Sequence, residues 1–193
     1  MVGKLFLVVG PSGVGKGTLV NRLRERHPEF YFSLSATTRV PRKGEKEGRQ
    51  YHFFSEEEFA KMESEGKFLE TATVHETEKY GTLREPILRA IQNGKVVIRE
   101  VDIQGLRKIH ENLKKEKFAA IFILPPDFKT LEKRILKRQP KISETELARR
   151  LKSAAEEIAQ KNLADFEVVS GEGEIEKMVA EVENFIARET EIN

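Results

Sequence analysis

Apolar residues fall along this chain in two rhythms. Short continuous runs occur at Leu5–Val9, Val96–Ile98, Ala119–Leu124 and Phe166–Ser170. Between and after them come stripes spaced by three or four: Leu106, Ile109 and Leu113; Leu131 and Ile135; Leu147, Leu151, Ala154 and Ile158; and Ile175 through Ile186. Unbroken runs predict strands buried on both faces, and the stripes predict amphipathic helices. Their alternation predicts an α/β fold of three layers, with a parallel sheet between helices. Ser143 and Glu146 have the spacing of a capping box that opens the third of these helices.

Residues 35–95 break this rhythm. They are richer in charge, Gly and Thr, with short alternating pieces at Tyr51–Phe53 and Phe68–Glu70. Ser55 and Glu58 form a second capping box, and Asn93-Gly94 is a helix stop before the next core strand. The segment reads as a small lobe inserted into the α/β core.

The first strand runs directly into Gly10, Pro11, Ser12, Gly13, Val14, Gly15, Lys16, Gly17 and Thr18. Glycines let the backbone turn sharply and approach a ligand, and a helix opening at about Lys16 presents free N–H groups and its positive dipole end. Lys16 adds a mobile charge for the outer phosphates of a nucleoside triphosphate. The residue after the lysine is Gly17, so the hydroxyl usual at that metal-ligand position is missing and Thr18 follows one place later. Mg²⁺ is therefore expected to be held mostly through water and the nucleotide, near Thr18 and Asp102.

A second anion site is expected within the inserted lobe. Ser35 to Glu45 concentrates hydroxyls with Arg39 and Arg42, and Pro41 and Gly44 exclude a continuous helix there. The guanidinium fork matches phosphate geometry, and the Tyr51 and Tyr80 hydroxyls are donors for the same group. Glu70, Glu100 and Asp102 are the acidic candidates. Glu100 and Asp102 project to one side if the strand continues through them. Carboxylates offer only acceptors, which suits the N1–H and exocyclic amine of guanine and not the unprotonated N1 of adenine. A site that leaves a buried polar group unpaired discriminates by roughly 10⁴-fold.

Composition narrows the setting. A chain of 193 residues suits one α/β domain with a small appendage, and 38% hydrophobic residues fit a globular fold. With 34 Lys and Arg against 32 Asp and Glu the net charge is +2, which gives no general attraction to nucleic acid or an anionic membrane. No signal segment or membrane-length apolar run is read, and with no cysteine there is neither a disulfide framework nor a thiolate nucleophile. A cytoplasmic location is expected, as a monomer or small homo-oligomer.

Taken in order, these segments resemble the guanylate kinase family over nearly the whole chain. The matching pieces are GPSGVGKGT at 10–18, SATTRVPRKGE at 35–45, the Gly48 and Tyr51 step, GKFLE at 66–70, YGT at 80–82, EVDIQG at 100–105, and the arginine-bearing stretch after Leu131. The resemblance implies a P-loop fold with a five-stranded parallel sheet, a core of 1–34, 96–136 and 150–193, an acceptor lobe of 35–95 and a lid at 137–149. It implies transfer of the γ-phosphoryl of ATP to GMP or dGMP with Mg²⁺. In the family the acceptor phosphate is held by the positions matching Arg39, Arg42, Tyr51 and Tyr80, with Glu45 beside them. The guanine is read by those matching Ser35, Glu70, Thr82 and Asp102, and arginines matching Arg134, Arg138 and Arg150 approach the phosphates as the lid closes. The chain departs from the family at Glu76–Lys79, at Gln139–Ser143, and at Ser170-Gly171, where an Asn-Asp pair near the adenine is usual. Two alternatives stay open: a non-catalytic phosphopeptide-binding module on this fold, and a related sugar-phosphate kinase.

Overall fold

The structure is a computed structural model that describes residues 3–74 and 78–190. Five parallel strands form the core sheet: β1 (Lys4–Val9), β2 (Tyr31–Phe32), β7 (Val96–Glu100), β8 (Phe118–Leu124) and β9 (Phe166–Val169), in the order β2-β7-β1-β8-β9. Every residue of Leu5–Val9 is fully buried. Phe6 and Val8 pack on one face with Leu19, Val179 and Val182, and Leu5, Leu7 and Val9 on the other with Ile87, Leu106 and Ile109. An unbroken apolar run is what a strand covered on both sides requires, and each such side chain contributes about 1.5–3 kcal/mol relative to exposure.

Helices α1 (Lys16–Arg26), α5 (Phe128–Arg138), α6 (Glu144–Ile158) and α7 (Ile175–Thr190) bury side chains on the first face. On the second lie α3 (Arg84–Gln92) and α4 (Ile103–Asn112). The lobe carries a second sheet of β3 (Ser35–Thr37), β4 (Tyr51–Phe53), β5 (Phe68–Val74) and β6 (Glu78–Leu83), ordered β4-β3-β6-β5, with α2 (Glu56–Ser64) over its small apolar cluster of Ala36, Phe59 and Phe68.

Three local expectations turn out differently. Helix α3 falls inside the predicted lobe segment, yet packs Ile87 and Ala90 with Leu5 and Leu7 of the core, so the lobe's own sheet ends at Leu83. Strand β7 ends at Glu100, and Asp102 is instead the N-cap of α4, its carboxylate accepting from the Gly105 N–H at 2.7 Å. The two acids are therefore not side by side on one strand. Ser143 caps α6 through the Glu146 N–H, but the Glu146 side chain turns to Arg149 and Arg150, so only half of that capping box forms. The 137–149 stretch is helix, link and helix: α5 runs through Arg138 and α6 begins at Glu144. The Ser55–Glu58 box is complete.

Candidate active site

At the carboxyl end of β1 the chain leaves the sheet at Gly10, whose φ of 144° is open to glycine. A Cβ there would stand 2.5 Å from the Ile123 carbonyl oxygen. Gly15, in the left-handed region at φ 115°, is the N-cap of α1 and supplies no capping side chain. The helix therefore begins with its amides uncovered, and its first turn holds no acidic residue. That is the arrangement an anion needs. Lys16 Nζ donates to the carbonyl oxygens of Gly10 at 2.5 Å and Pro11 at 3.2 Å.

Sequence register places the lobe's polar residues in rows. Tyr51 pairs with Ser35, Ser35 with Thr82, and Thr82 with Glu70 across four adjacent strands. Directly opposed residues share a face, so these four side chains line up on one side of the sheet. Two residues along, Tyr80 is opposite Thr37 on the same face. Thr82 is fully buried: its hydroxyl donates to Glu70 Oε1 at 2.5 Å and accepts from Arg99 Nε at 2.8 Å. Arg99 Nη1 donates to Ser35 Oγ, also at 2.8 Å. A Cβ added to Gly105 would meet Asp102 Oδ1 at 3.4 Å and Glu70 Oε2 at 3.5 Å, so the two carboxylates converge on one point.

A second cluster surrounds Arg39. Its Nη2 donates to both oxygens of Glu45, each at 2.9 Å, and its guanidinium lies 5.2 Å from the centre of the Tyr51 ring. The Tyr51 and Tyr80 rings meet edge to face at 6.0 Å, and the Tyr80 hydroxyl donates to Glu78 Oε2 at 3.0 Å. Arg42 contributes its backbone N–H to Glu45 Oε2 at 2.7 Å and is exposed. The altered turn at Glu76-Thr77 lies outside the described residues.

The three distal arginines are not gathered at one point. Arg134 reaches the loop, donating to the Val14 carbonyl and to both oxygens of Ser170 at 2.8–3.1 Å. Arg134 and Ser170 line a pocket of about 230 Å³ with Gly13, Gly15 and Gly171. Arg138 is exposed at the end of α5, and Arg150 Nε donates to Glu146 at 2.8 Å.

Two neighbours of the site escaped the sequence reading. Arg99 extends β7 past its apolar residues, and its guanidinium is buried against Ser35, Thr82 and Glu70. Burial pulls its pKa down, opposed first by Glu70. Glu157, on α6, is half-buried. Desolvation raises its pKa, with the Lys16 charge opposing and the Asp102 charge adding, so these three groups share one neighbourhood. Charge at a helical i+3 or i+4 position is the signal that was available for Glu157: it lies three residues after Ala154, on the buried face.

A cleft of about 920 Å³ opens between the phosphate loop and the lobe, lined by Gly17 and Asn21 of α1, Ser35, Tyr51, Arg99 and Glu100. The sequence profile described as guanylate kinase matches residues 2–189. The guanylate kinase of Trichormus variabilis is 45% identical over 183 residues, which is 95% of this chain and 90% of that protein. That of Bifidobacterium longum is 39% identical over 189 residues, 97% of this chain and 95% of its own. A solved guanylate kinase from Anaplasma phagocytophilum superimposes with a TM-score of 0.77 at 31% identity, covering 100% of this chain and 88% of that one. The parallel core, phosphate loop and inserted lobe thus go with a sequence likeness that spans the chain, and the chain belongs to the guanylate kinase family of phosphotransferases.

Proposed function

We propose that this protein transfers the γ-phosphoryl group of ATP to GMP, and to dGMP, by direct in-line displacement, releasing ADP and the nucleoside diphosphate for purine nucleotide metabolism. The observation that carries the reading is a cleft bounded by the P-loop helix on one side and by Ser35 and Tyr51 on the other. Phosphoryl transfer asks a protein mainly to align donor and acceptor phosphates and to neutralise the charge spread between them. On this reading the loop from Gly10 to Thr18 cradles the ATP phosphates, with Lys16 exchanging its carbonyl partners for phosphate oxygens. Arg39, Arg42, Tyr51 and Tyr80 hold the acceptor phosphate, and Glu45 holds Arg39 in place.

The guanine edge meets Ser35, Glu70 and Asp102, with Thr82 acting through Glu70. Arg134 already lies on the loop, and Arg138 and Arg150 join it when the 137–149 segment closes and excludes water. Mg²⁺, where bound with ATP, would supply positive charge against that of the phosphates. Thr18, Glu100 and Asp102 offer it oxygen donors alone, as a hard cation prefers, and Glu100 Oε2 stands 4.0 Å from where a Cβ on Gly17 would lie. Among the described residues no helix is long and apolar enough to cross a membrane. The same reading places the enzyme in the cytoplasm, as a monomer or small homo-oligomer, without nucleic acid as a partner.

ADP release from Mg-ATP with GMP, dGMP, AMP, CMP and UMP as acceptors tests the reading. Turnover confined to the guanine nucleotides is expected. Silence with all five, from folded protein, would overturn it in favour of the binding module.

A further inference from the structure

We infer that Arg99 is a positioning residue that sets the hydrogen-bond polarity of the base-reading row and so determines which group is accepted at position 6 of a purine. The inference rests on the proposed acceptor site. Arg99 is buried in β7 and has no acceptor capacity, so each oxygen it touches must receive a proton from it. Its Nε donates to Thr82 Oγ1 and its Nη1 to Ser35 Oγ, both at 2.8 Å, and its Nη2 lies 3.8 Å from Glu70 Oε1.

Both hydroxyl hydrogens are thereby turned away from Arg99. The Thr82 hydrogen goes to Glu70 Oε1. The Ser35 hydrogen, on a partly exposed residue at the cleft, is left to donate outward. Beside Gly105, Glu70 Oε2 remains an acceptor, and the Asp102 carboxylate, whose Oδ1 takes the Gly105 N–H, keeps lone pairs for a further donor. The row therefore presents one donor and two acceptors. A 6-oxo purine with N1–H and a 2-amino group is complementary to that order. A 6-amino purine sets a donor against the Ser35 hydroxyl hydrogen and a bare nitrogen against a carboxylate. Without Arg99 the Ser35 hydroxyl is free to turn and accept.

The test is calorimetric binding and steady-state turnover for GMP, IMP and the monophosphate of 2,6-diaminopurine riboside, on the wild type, Arg99→Met and Arg99→Lys. Wild-type preference for GMP over both analogues tests the acceptor reading itself. The inference is tested by how Arg99→Met changes it. Discrimination against the 6-amino analogue should shrink by roughly tenfold or more through KM, discrimination against IMP (which lacks only the 2-amino group) should change much less, and Mg-ATP affinity should hold. Arg99→Lys should recover part of the loss. Equal weakening toward all three nucleotides would overturn the inference and leave Arg99 a structural residue. Should Arg99→Met not fold, a cycle of Ser35→Ala with Arg99→Lys decides: non-additive effects on the 6-position ratio support coupling, and additive ones overturn it.

Discussion

A single nitrogen of Arg39, Nη2, lies 2.9 Å from both carboxylate oxygens of Glu45. The Arg39 guanidinium foremost, then the Arg42 backbone N–H, hold the Glu45 carboxyl below its ordinary value. The pair fixes Arg39 against the Tyr51 ring, and Nη1 also donates to the Val40 carbonyl at 3.0 Å, so an anion would meet the N–H groups left over from these contacts. Arg39→Lys keeps the charge and loses the fork. KM for GMP should rise roughly 10- to 100-fold, the worth of one or two charged hydrogen bonds, with a smaller change in kcat. Glu45→Gln should raise it less. An unchanged KM in the lysine variant would remove Arg39 from the acceptor site.

Among the described residues, the Lys16 ammonium donates to the carbonyls of Gly10 and Pro11 and is partly exposed, so its removal leaves the core untouched. Lys16→Met should fold normally by circular dichroism and keep its Tm. Its kcat should fall by about 10²–10³-fold, as when one group that stabilises developing charge is deleted. A rate within a few-fold of wild type would show that the loop amides suffice.

Glu146 accepts from Arg149 and Arg150, which together hold its carboxyl down to about 2 from an ordinary 4.5. Because the folded value lies below the unfolded one, these ion pairs favour the folded state above about pH 4.5 and stop doing so as pH falls toward 2. Urea midpoints of the wild type and Glu146→Gln should differ at neutral pH and converge across that window. A gap undiminished at pH 2.5 would show that the Glu146 side chain acts through something other than its charge.

Phe59 is fully buried and stacks on Phe68 with ring centres 4.5 Å apart, in a lobe cluster separate from those of the core sheet. Phe59→Ala should destabilise the lobe by about 3–5 kcal/mol. Hydrogen exchange should quicken in α2 and β3–β6 while β1, β7 and β8 stay protected, and KM for GMP should rise without loss of ATP binding. Equal acceleration in both sheets would show that they open as one unit.

Where a residue's type and its surroundings agree, the sequence was legible. Leu5–Val9 is apolar throughout because both its faces are covered, and Gly10 and Gly15 are glycine because the backbone there takes φ values that other residues resist. Arg99 was hidden for the opposite reason: a charge reads as the end of a buried strand, and only tertiary partners from β3, β5 and β6 make its burial tolerable. Asp102 was misplaced because period-two alternation looks the same whether a strand continues or gives way to a helix cap. Strand β2 is two residues long, too short for any periodicity to show. Helix α3 carries its core face inside a segment otherwise rich in lobe residues, and only contact with β1 and β7 shows where it belongs.

The order of the core sheet has a consequence for synthesis. Strand β1 has as neighbours β7 and β8, whose partner residues lie at 96–100 and 118–122. This apolar strand is thus made well before either neighbour, and the phosphate loop that follows it lacks the flanking strands of the sheet until about half of the polypeptide has been made. The lobe strands pair with one another inside Ser35–Leu83 and need no such wait. During translation the acceptor lobe therefore gathers ahead of the loop. Until β7 and β8 arrive, Leu5–Val9 is an unpaired apolar segment in need of shelter from other chains.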